Sequence, residues 1–465
     1  MSDATLELPG IRTQPTSVTR KMAAALPKLR EIATQKGLKI HHLGAGYPHP
    51  EVTNPKSFID RTDRWFEHLA RQEGLNDAQE IPAFLRDAYA YTDTMGPLGP
   101  RESFAAVYGH DWSVQIDPNR LIPTIGATGG IALLCSIFER IGAEVAYITD
   151  APTYAGFLAR ATLNQNTSIY SIPMDREGAD PDALREQIRN ARADGKLVPF
   201  YYTVPDGHNP AGFSFSPSRK QELLRVAEEE NILIAEDAPY LYINYSSDRK
   251  ANRPFFAIDP QRSVHLFTGS KIGLPGPRVG FVYSEATVGV ENGRDVSLTE
   301  LLLSESSGAV LFHNPLSLLT FEALLRGDDG SVRESLWPLA EEKLQVYREN
   351  RQIVLGGLED NLGDYREHFD WTQPEAGFFS AFTIKTPGIR VDDTFTNALV
   401  EKYGVVVVPM YGFYPDDFLR HSPGAGFNQL RLSFCFTEST GEERRRDLHE
   451  AVVAFCYAMK EECGL

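Results

Sequence analysis

The chain has 465 residues, 42% of them hydrophobic and 11% aromatic, with a formal net charge of −17. That length exceeds one small core and asks for two or three units, or one large unit and one smaller. The acidic balance excludes nucleic acid as the main partner, because phosphate binding needs a basic face, and no run approaches the roughly 20 apolar residues of a membrane helix.

Residues 1 to about 40 read as an arm followed by a helix, "RKMAAALPKLREIATQKG", and the N-terminus lacks the apolar core of a signal peptide. "IHHLGAGYPHPE" reads as a short strand running into a Gly/Pro loop. Residues 55–120 read as helical, broken by the "TMGPLGP" turn. From about 120 the rhythm becomes regular. The helix candidates "GGIALLCSIFERIG", "YAGFLARATLNQ", "DALREQIRNARADG" and "PSRKQELLRVAEEEN" alternate with the strand candidates "EVAYITD", "TSIYSIPM", "VPFYYTVP" and "ILIAEDAPY". Two further strands, "SVHLFTGS" and "VGFVYS", follow. Short apolar strands separated by helices predict an α/β fold with a mainly parallel sheet covered on both faces. Right-handed crossovers then set the strand C-terminal ends along one edge, where such sheets bind ligands.

After about 335 the pattern changes. A long charged helix, "PLAEEKLQVYRENRQIVLGGLEDNLG", leads to the strand "FFSAFTIKT", the helix "DTFTNALVEKYG", the strands "VVVVPM" and "QLRLSFCF", and a last amphipathic helix. This is an α+β unit with an antiparallel component. The expected division is an N-terminal arm and part of a small domain over 1–85, a large domain over 86–334, and the rest of the small domain over 335–465. Cys135, Cys435, Cys456 and Cys463 form no CxxC pair and have no zinc-ligand spacing. They read as reduced thiols of a cytoplasmic protein, and no metal site is expected.

The informative polar residues fall where apolar strands end. "TVPDGHNPAG" carries Asn209, "AEDAPY" carries Asp237 and Tyr240, and "FTGSK" carries Lys271; earlier, "TIGATGG" is a small-residue loop opening a helix. Singly these are ordinary. A lone lysine is usually a surface charge, an aspartate after a strand is often a cap, and Asn-Pro-Ala-Gly is usually a turn. The dinucleotide fingerprint, the P-loop and the HExxH zinc motif are all absent. Their joint occurrence is the signal. A cofactor with an aldehyde, a pyridine nitrogen, a phenolic oxygen and a phosphate needs a lysine for a Schiff base and a carboxylate for its ring nitrogen. It also needs donors for the phenolic oxygen, and a helix N-terminus with hydroxyls and an arginine for the phosphate. Lys271, Asp237, Asn209 with Tyr240, and "ATGG" with Arg278 meet those demands in turn.

The set "HNPAG", "EDAPY", "SKIGLPGPRVG", "ATGG", "DAPTYAGF" and "NQLRLSF" resembles the class I/II aminotransferases of pyridoxal-phosphate fold type I, from about residue 40 to the C-terminus. Asn209 and Asp237 are 28 residues apart and Asp237 and Tyr240 three apart, as in that family. The seven-residue interval from Lys271 to Arg278 and the late "YGFYP" look most like its valine–pyruvate group. The resemblance implies pyridoxal 5'-phosphate as cofactor, with Lys271 as its Schiff-base lysine and Asp237 beside its ring nitrogen. It places Asn209 and Tyr240 at the phenolic oxygen and Tyr154 stacked on the ring. Ala127 (through its backbone N–H), Thr128, Thr268, Ser270 and Arg278 match the phosphate cup. Arg431 matches the clamp on the substrate α-carboxylate, a bidentate task that suits arginine. Gly46 matches a loop over the substrate, and Tyr91 a tyrosine reaching the neighbouring subunit's phosphate.

The implied protein is a homodimeric transaminase that moves an amino group between a small or hydrophobic L-amino acid and a 2-oxo acid such as pyruvate or 2-oxoglutarate. The alternative is a non-transaminating reaction on the same cofactor: decarboxylation, elimination or replacement, cyclisation or oxidation. No second arginine is assignable to a side-chain carboxylate, which mildly disfavours aspartate-type substrates, although the N-terminal arm or the other subunit could supply one. His208 stands open between a loop histidine and a proton-transfer role. Residues 411–428 and 55–85 stand open between substrate-side insertions and surface excursions.

Overall fold

Eight stretches pair into the main sheet of the computed structural model, which describes residues 16–75, 81–140, 142–290 and 293–465. They are β1 (Ile122–Ile125), β2 (Val145–Ala151), β3 (Thr167–Asp175), β4 (Gly178–Ala179), β5 (Phe200–Thr203), β6 (Leu233–Asp237), β7 (Ser263–Thr268) and β8 (Val279–Tyr283). Their order across the sheet is β1-β8-β7-β6-β5-β2-β3-β4. From β7 to β3 neighbouring strands are parallel. β8 runs antiparallel to both β1 and β7.

Alternation within each strand decides which layer a side chain enters. In β5, Phe200 and Tyr202 join one core and Tyr201 the other; in β2, Val145 and Tyr147 face the first and Ala146 and Ile148 the second. Both faces are dry, and so the strands read as unbroken apolar runs. Fully burying one such side chain contributes about 1.5–3 kcal/mol. The helix Gly126–Glu139 covers the first face through Ile131 and Leu134, and the helices Pro181–Ala193 and Pro217–Glu229 cover the second through Leu184, Ile188, Leu223 and Val226.

Four of the longer helices start in one way. The side chains of Asn54, Asp180, Ser216 and Asn314 accept a first-turn N–H, and proline follows each at 55, 181, 217 and 315. Such a cap is worth about 1 kcal/mol, and proline in the first turn forfeits no intrahelical bond. The helix Gly126–Glu139 departs from this pattern, because Ile125 precedes it and offers no side-chain cap.

A second sheet is formed by β9 (Phe369–Trp371), β10 (Phe379–Ile384), β11 (Val408–Pro409) and β12 (Gln429–Ser433), antiparallel in the order β9-β10-β12-β11. The helices Trp337–Leu362 and Gly441–Cys463 pack in its core through Val354, Leu358, Leu448, Val452 and Phe455. The start of the chain joins this unit. His41–His42 pairs in parallel with Val405–Val406, and the helix Val18–Gln35 sets Met22 and Leu29 against Val400 and Val406.

Three local expectations change. "VVVVPM" splits at Val407, so that Val405–Val406 pairs with the chain start and Val408–Pro409 with β12. Residues 411–428 are not one loop. They hold a 3-10 turn, Tyr411–Phe413, and a helix, Asp416–His421, which docks on β3 where Asp417 accepts both the N–H and the hydroxyl of Ser171 at 2.7 Å. Between β8 and residue 335, where the sequence reading assigns nothing, lie the helices Leu298–Ala309 and Pro315–Leu325. The second packs against the helix Pro55–Gln72. Residues 76–80 of the stretch 55–85 lie outside the described residues.

Candidate active site

The C-terminal ends of β5, β6 and β7 open on a cavity of about 450 Å³. Asp237 is the last residue of β6 and pairs in register with Leu266 of β7. Asn209 lies in the turn after β5, and Lys271 in the turn after β7. The cavity is lined by Gly46, Ala127, Thr128, Tyr154, Asn209, Asp237, Tyr240, Thr268, Ser270, Lys271, Arg278 and Arg431, which are the twelve residues singled out for the chain's own cofactor and substrate, and so brings them together.

Asp237 is 4% exposed. Its Oδ2 accepts the Tyr202 hydroxyl at 2.8 Å, while Oδ1 is buried and has no hydrogen-bond partner among the described residues. Burial pushes the carboxyl up to about 6, against the Tyr202 bond and the Lys271 charge, which pull it down. An unpaired buried acceptor costs about 1–3 kcal/mol, and a protonated pyridine nitrogen would satisfy it.

Lys271 Nζ donates to the Gly46 carbonyl at 2.6 Å and faces the rings of Phe378 and Tyr240, 5.7 and 5.9 Å from their centroids. Burial pulls the amine down to about 8; the Arg431 and Arg278 charges act in the same sense, and Cys435 and Asp237 oppose them. A lysine in that range carries a useful fraction of free base near neutral pH.

At the uncapped start of the helix Gly126–Glu139 the first N–H groups and the positive end of the dipole are left for an anion. Arg278 Nη1 donates to Ser270 Oγ at 2.8 Å and Nη2 to the Ile125 carbonyl at 3.3 Å; the Thr268 hydroxyl donates to Ser270 Oγ at 3.0 Å. Gly126 has φ +66°, and a Cβ there would stand 2.5 Å from Arg278 Nη2, so glycine is required for the arginine to approach. Hydroxyls, a guanidinium and a helix end thus converge on one spot.

Arg431 is buried between units. Its Nη1 donates to Asn209 Oδ1 at 2.9 Å, its Nη2 to the Gly44 carbonyl at 3.0 Å, and its Cζ lies 4.1 Å from the Phe379 ring centroid. Burial draws the guanidinium down to about 10. A Cβ on Gly46 would meet the Phe379 ring at 3.1 Å and Arg431 Nη2 at 3.7 Å, so the loop lies directly over the guanidinium.

Several lining residues escape the sequence reading. Tyr202, which positions Asp237, follows from strand alternation, since it shares the Phe200 face of β5. Phe379 sits inside "FFSAF" with no distinguishing mark. Thr19, Arg20, Met22, Ala23 and Leu26 of the first helix, with His42, Val406 and Val408, add to the wall, and no local pattern marks them. Tyr91 lies outside the cavity, 88% exposed, with its ring edge-on to Phe312 at 6.0 Å. His208 is fully buried and does not line the cavity. Among the described residues no group of His, Cys, Asp and Glu could hold a metal ion, and no helix is long and apolar enough to cross a membrane.

The orphaned Asp237 oxygen, the depressed lysine and the uncapped helix end fit pyridoxal 5'-phosphate. The chain belongs to the aminotransferase class I and II family, whose profile matches residues 80–432. It is a pyridoxal-phosphate-dependent transaminase of fold type I. It is 27% identical over 420 residues to the (S)-3,5-dihydroxyphenylglycine transaminase of Amycolatopsis orientalis, covering 90% of this chain and 88% of that one. It is 26% identical to an aromatic-amino-acid aminotransferase of Thermococcus litoralis, with 81% of each chain covered. An archaeal alanine:glyoxylate aminotransferase superposes with a TM-score of 0.76 at 26% identity, over 97% of this chain and 96% of that one.

Proposed function

We propose that this transaminase exchanges an amino group between a small or hydrophobic L-amino acid and a 2-oxo acid such as pyruvate or 2-oxoglutarate. The observation that carries this reading is the wall beyond the cofactor groups. Met22, Ala23, Leu26, Val406 and Val408 line it, and among the described residues Arg431 is the buried guanidinium that reaches the cavity, the lining Arg20 being exposed. The apolar side chains give a second substrate carboxylate nothing to pair with; the exposed Arg20 of the first helix, which also lines the cavity, is the guanidinium that an acidic donor would have to use.

Pyridoxal phosphate, when bound, supplies an aldehyde carbon to carry the amino group and a ring that draws electrons from it. The rest falls to the protein. Ala127 N–H, Thr128, Thr268, Ser270 and Arg278 would hold the phosphate, Tyr154 would stack on the ring, and Asn209 and Tyr240 would face its phenolic oxygen. Asp237 Oδ1 would hold a proton on the ring nitrogen. The Arg431 fork grips the substrate α-carboxylate and fixes the α-carbon. Lys271 Nζ is the base that accepts the α-proton, and the Gly46 loop shields it from water.

Screening single amino acids against pyruvate and 2-oxoglutarate tests this reading. Alanine, the branched-chain and the aromatic amino acids are expected to be converted. Turnover of acidic donors alone would sink the substrate assignment. In the same screen Arg431→Ala should raise KM for every accepted donor by about 30-fold or more, the cost of breaking a buried carboxylate pair. An unchanged KM would remove Arg431 from that role.

The same reading makes the protein a cytoplasmic homodimer. All four cysteines are free. Tyr47, which lines the cavity, and Ile125, at the phosphate end, are half exposed, while Tyr89 and Tyr91 are largely exposed. Apolar skin at a cavity mouth is the kind of surface a second copy covers, and Tyr91 would then reach the partner's phosphate. Sedimentation at micromolar concentration should return twice the 51.8 kDa chain mass; a stable monomer would contradict it.

A further inference from the structure

Two buried groups that touch neither cofactor nor substrate stand behind the site. Asp150 lies on the second face of the sheet with Tyr201 and Thr203, away from Tyr202 and Asp237. It is fully buried, and its carboxylate accepts the Tyr201 hydroxyl on Oδ1 and the Thr203 hydroxyl on Oδ2 at 2.7 Å. The cation-capable group beside it is His208, also fully buried, with Nε2 3.4 Å from Asp150 Oδ2. The Ala211 N–H donates to His208 Nδ1 at 3.3 Å. That leaves Nε2 as the nitrogen carrying the proton. It makes no hydrogen bond among the described residues, and Asp150 Oδ2 at 3.4 Å is the charged oxygen within its reach.

Each member of this pair adjoins a cofactor contact. His208 precedes Asn209, whose Oδ1 receives Arg431. Asp150 heads the segment Asp150–Tyr154, at the end of which Tyr154 enters the cavity. The histidine also closes its own turn. Its N–H donates to the Phe213 carbonyl and its carbonyl accepts Gly212 N–H, both at 2.7 Å, while its ring stacks on Phe213 at 5.7 Å with an interplanar angle of 12°. A shift of the imidazole therefore moves Asn209, and a shift of Asp150 moves the approach to Tyr154.

We infer that the buried Asp150–His208 pair is a positioning brace, which ties the loop that stacks on the cofactor ring to the loop that holds Asn209 and, through it, Arg431. The inference rests on the site reading above, and the open question of His208 resolves to neither an idle loop residue nor a proton carrier in the cavity. It predicts a coupled effect on cofactor affinity, because a brace that loses either end is lost.

The test is titration of apoprotein with pyridoxal phosphate, alongside apoprotein melting and KM and kcat with an accepted donor. His208→Leu and Asp150→Asn should each weaken cofactor binding about tenfold and raise KM, with the double variant no weaker than the worse single. His208→Gln, which can still present an N–H to Asp150, should recover most of the loss. If His208→Leu gives no folded apoprotein, Asp150→Asn and His208→Gln are read by the same criteria. Affinities within twofold of wild type would overturn the brace. So would losses that multiply in the double variant, or losses that only track a lower apoprotein melting temperature. A wild-type protein that takes up no pyridoxal phosphate would overturn the site reading itself, which separates the two failures.

Discussion

Lys271→Ala should purify folded and carry no covalently held cofactor. The side chain is half-buried, and its hydrogen bond goes to a single carbonyl, that of Gly46, so truncation removes a desolvated amine rather than a packing element. Turnover should fall by more than about 10⁴-fold, because attachment point and proton acceptor go together. Borohydride reduction followed by peptide mass spectrometry reads the attachment directly. Wild type should show the added cofactor mass on the peptide containing residue 271, and the variant none. A trapped adduct elsewhere in the variant, with activity within tenfold, would show that another amine does the work. The free amine has its own signature. Competitive acylation of wild-type apoprotein should label Lys271 with a midpoint near its depressed value of about 8, rather than the 10.5 of an ordinary lysine. Only the neutral amine reacts, so labelling rises with pH and levels off above that point.

Asp237→Asn should separate stability from catalysis. In the cofactor-free protein burial lifts this carboxyl from 3.8 to about 6. The folded chain therefore binds a proton that the unfolded chain has released. The stability this group contributes is complete below about 3.8 and is lost as pH rises through about 6. At pH 8 the ionised carboxylate is a burden on the order of 3 kcal/mol. The amide removes it, so apo Asp237→Asn should melt a few degrees above apo wild type at pH 8, with the advantage fading toward pH 4. Turnover moves the other way, by about 10²–10³-fold, because a neutral amide cannot hold the ring nitrogen's proton. A variant apoprotein that melts lower at pH 8, or retains activity within tenfold, would refute the pairing.

The sheet is legible in the sequence because its central strands are dry on both faces and stop abruptly. Asp237 and Lys271 are conspicuous for the same reason, as charge at the end of an apolar run. What reads poorly is whatever tertiary packing decides. The first helix looks like any amphipathic helix, and only its docking on Val400 and Val406 turns Met22, Ala23 and Leu26 toward the cavity. Val405–Pro409 shows no break in composition, yet its two halves find different partners. The helix Pro315–Leu325 is apolar on nearly every side, with Leu318, Leu319, Phe321, Leu324 and Leu325 all buried, so no 3.6-residue stripe stands out. Its Asn-Pro start, shared with the helix at Pro55, is the signal that marks it.

The reversal of β8 between β1 and β7 governs how little slack the reactive amine has. A parallel successor to β7 would need a crossover of a dozen or more residues back to the far edge. An antiparallel one begins where β7 ends, and the connection is only residues 269–278. Lys271 is thus leashed at both ends to the same sheet, with Arg278, proposed above for the phosphate, as the second knot. For the role proposed for Lys271, this short hairpin limits how far the amine can drift from the ring between turnovers.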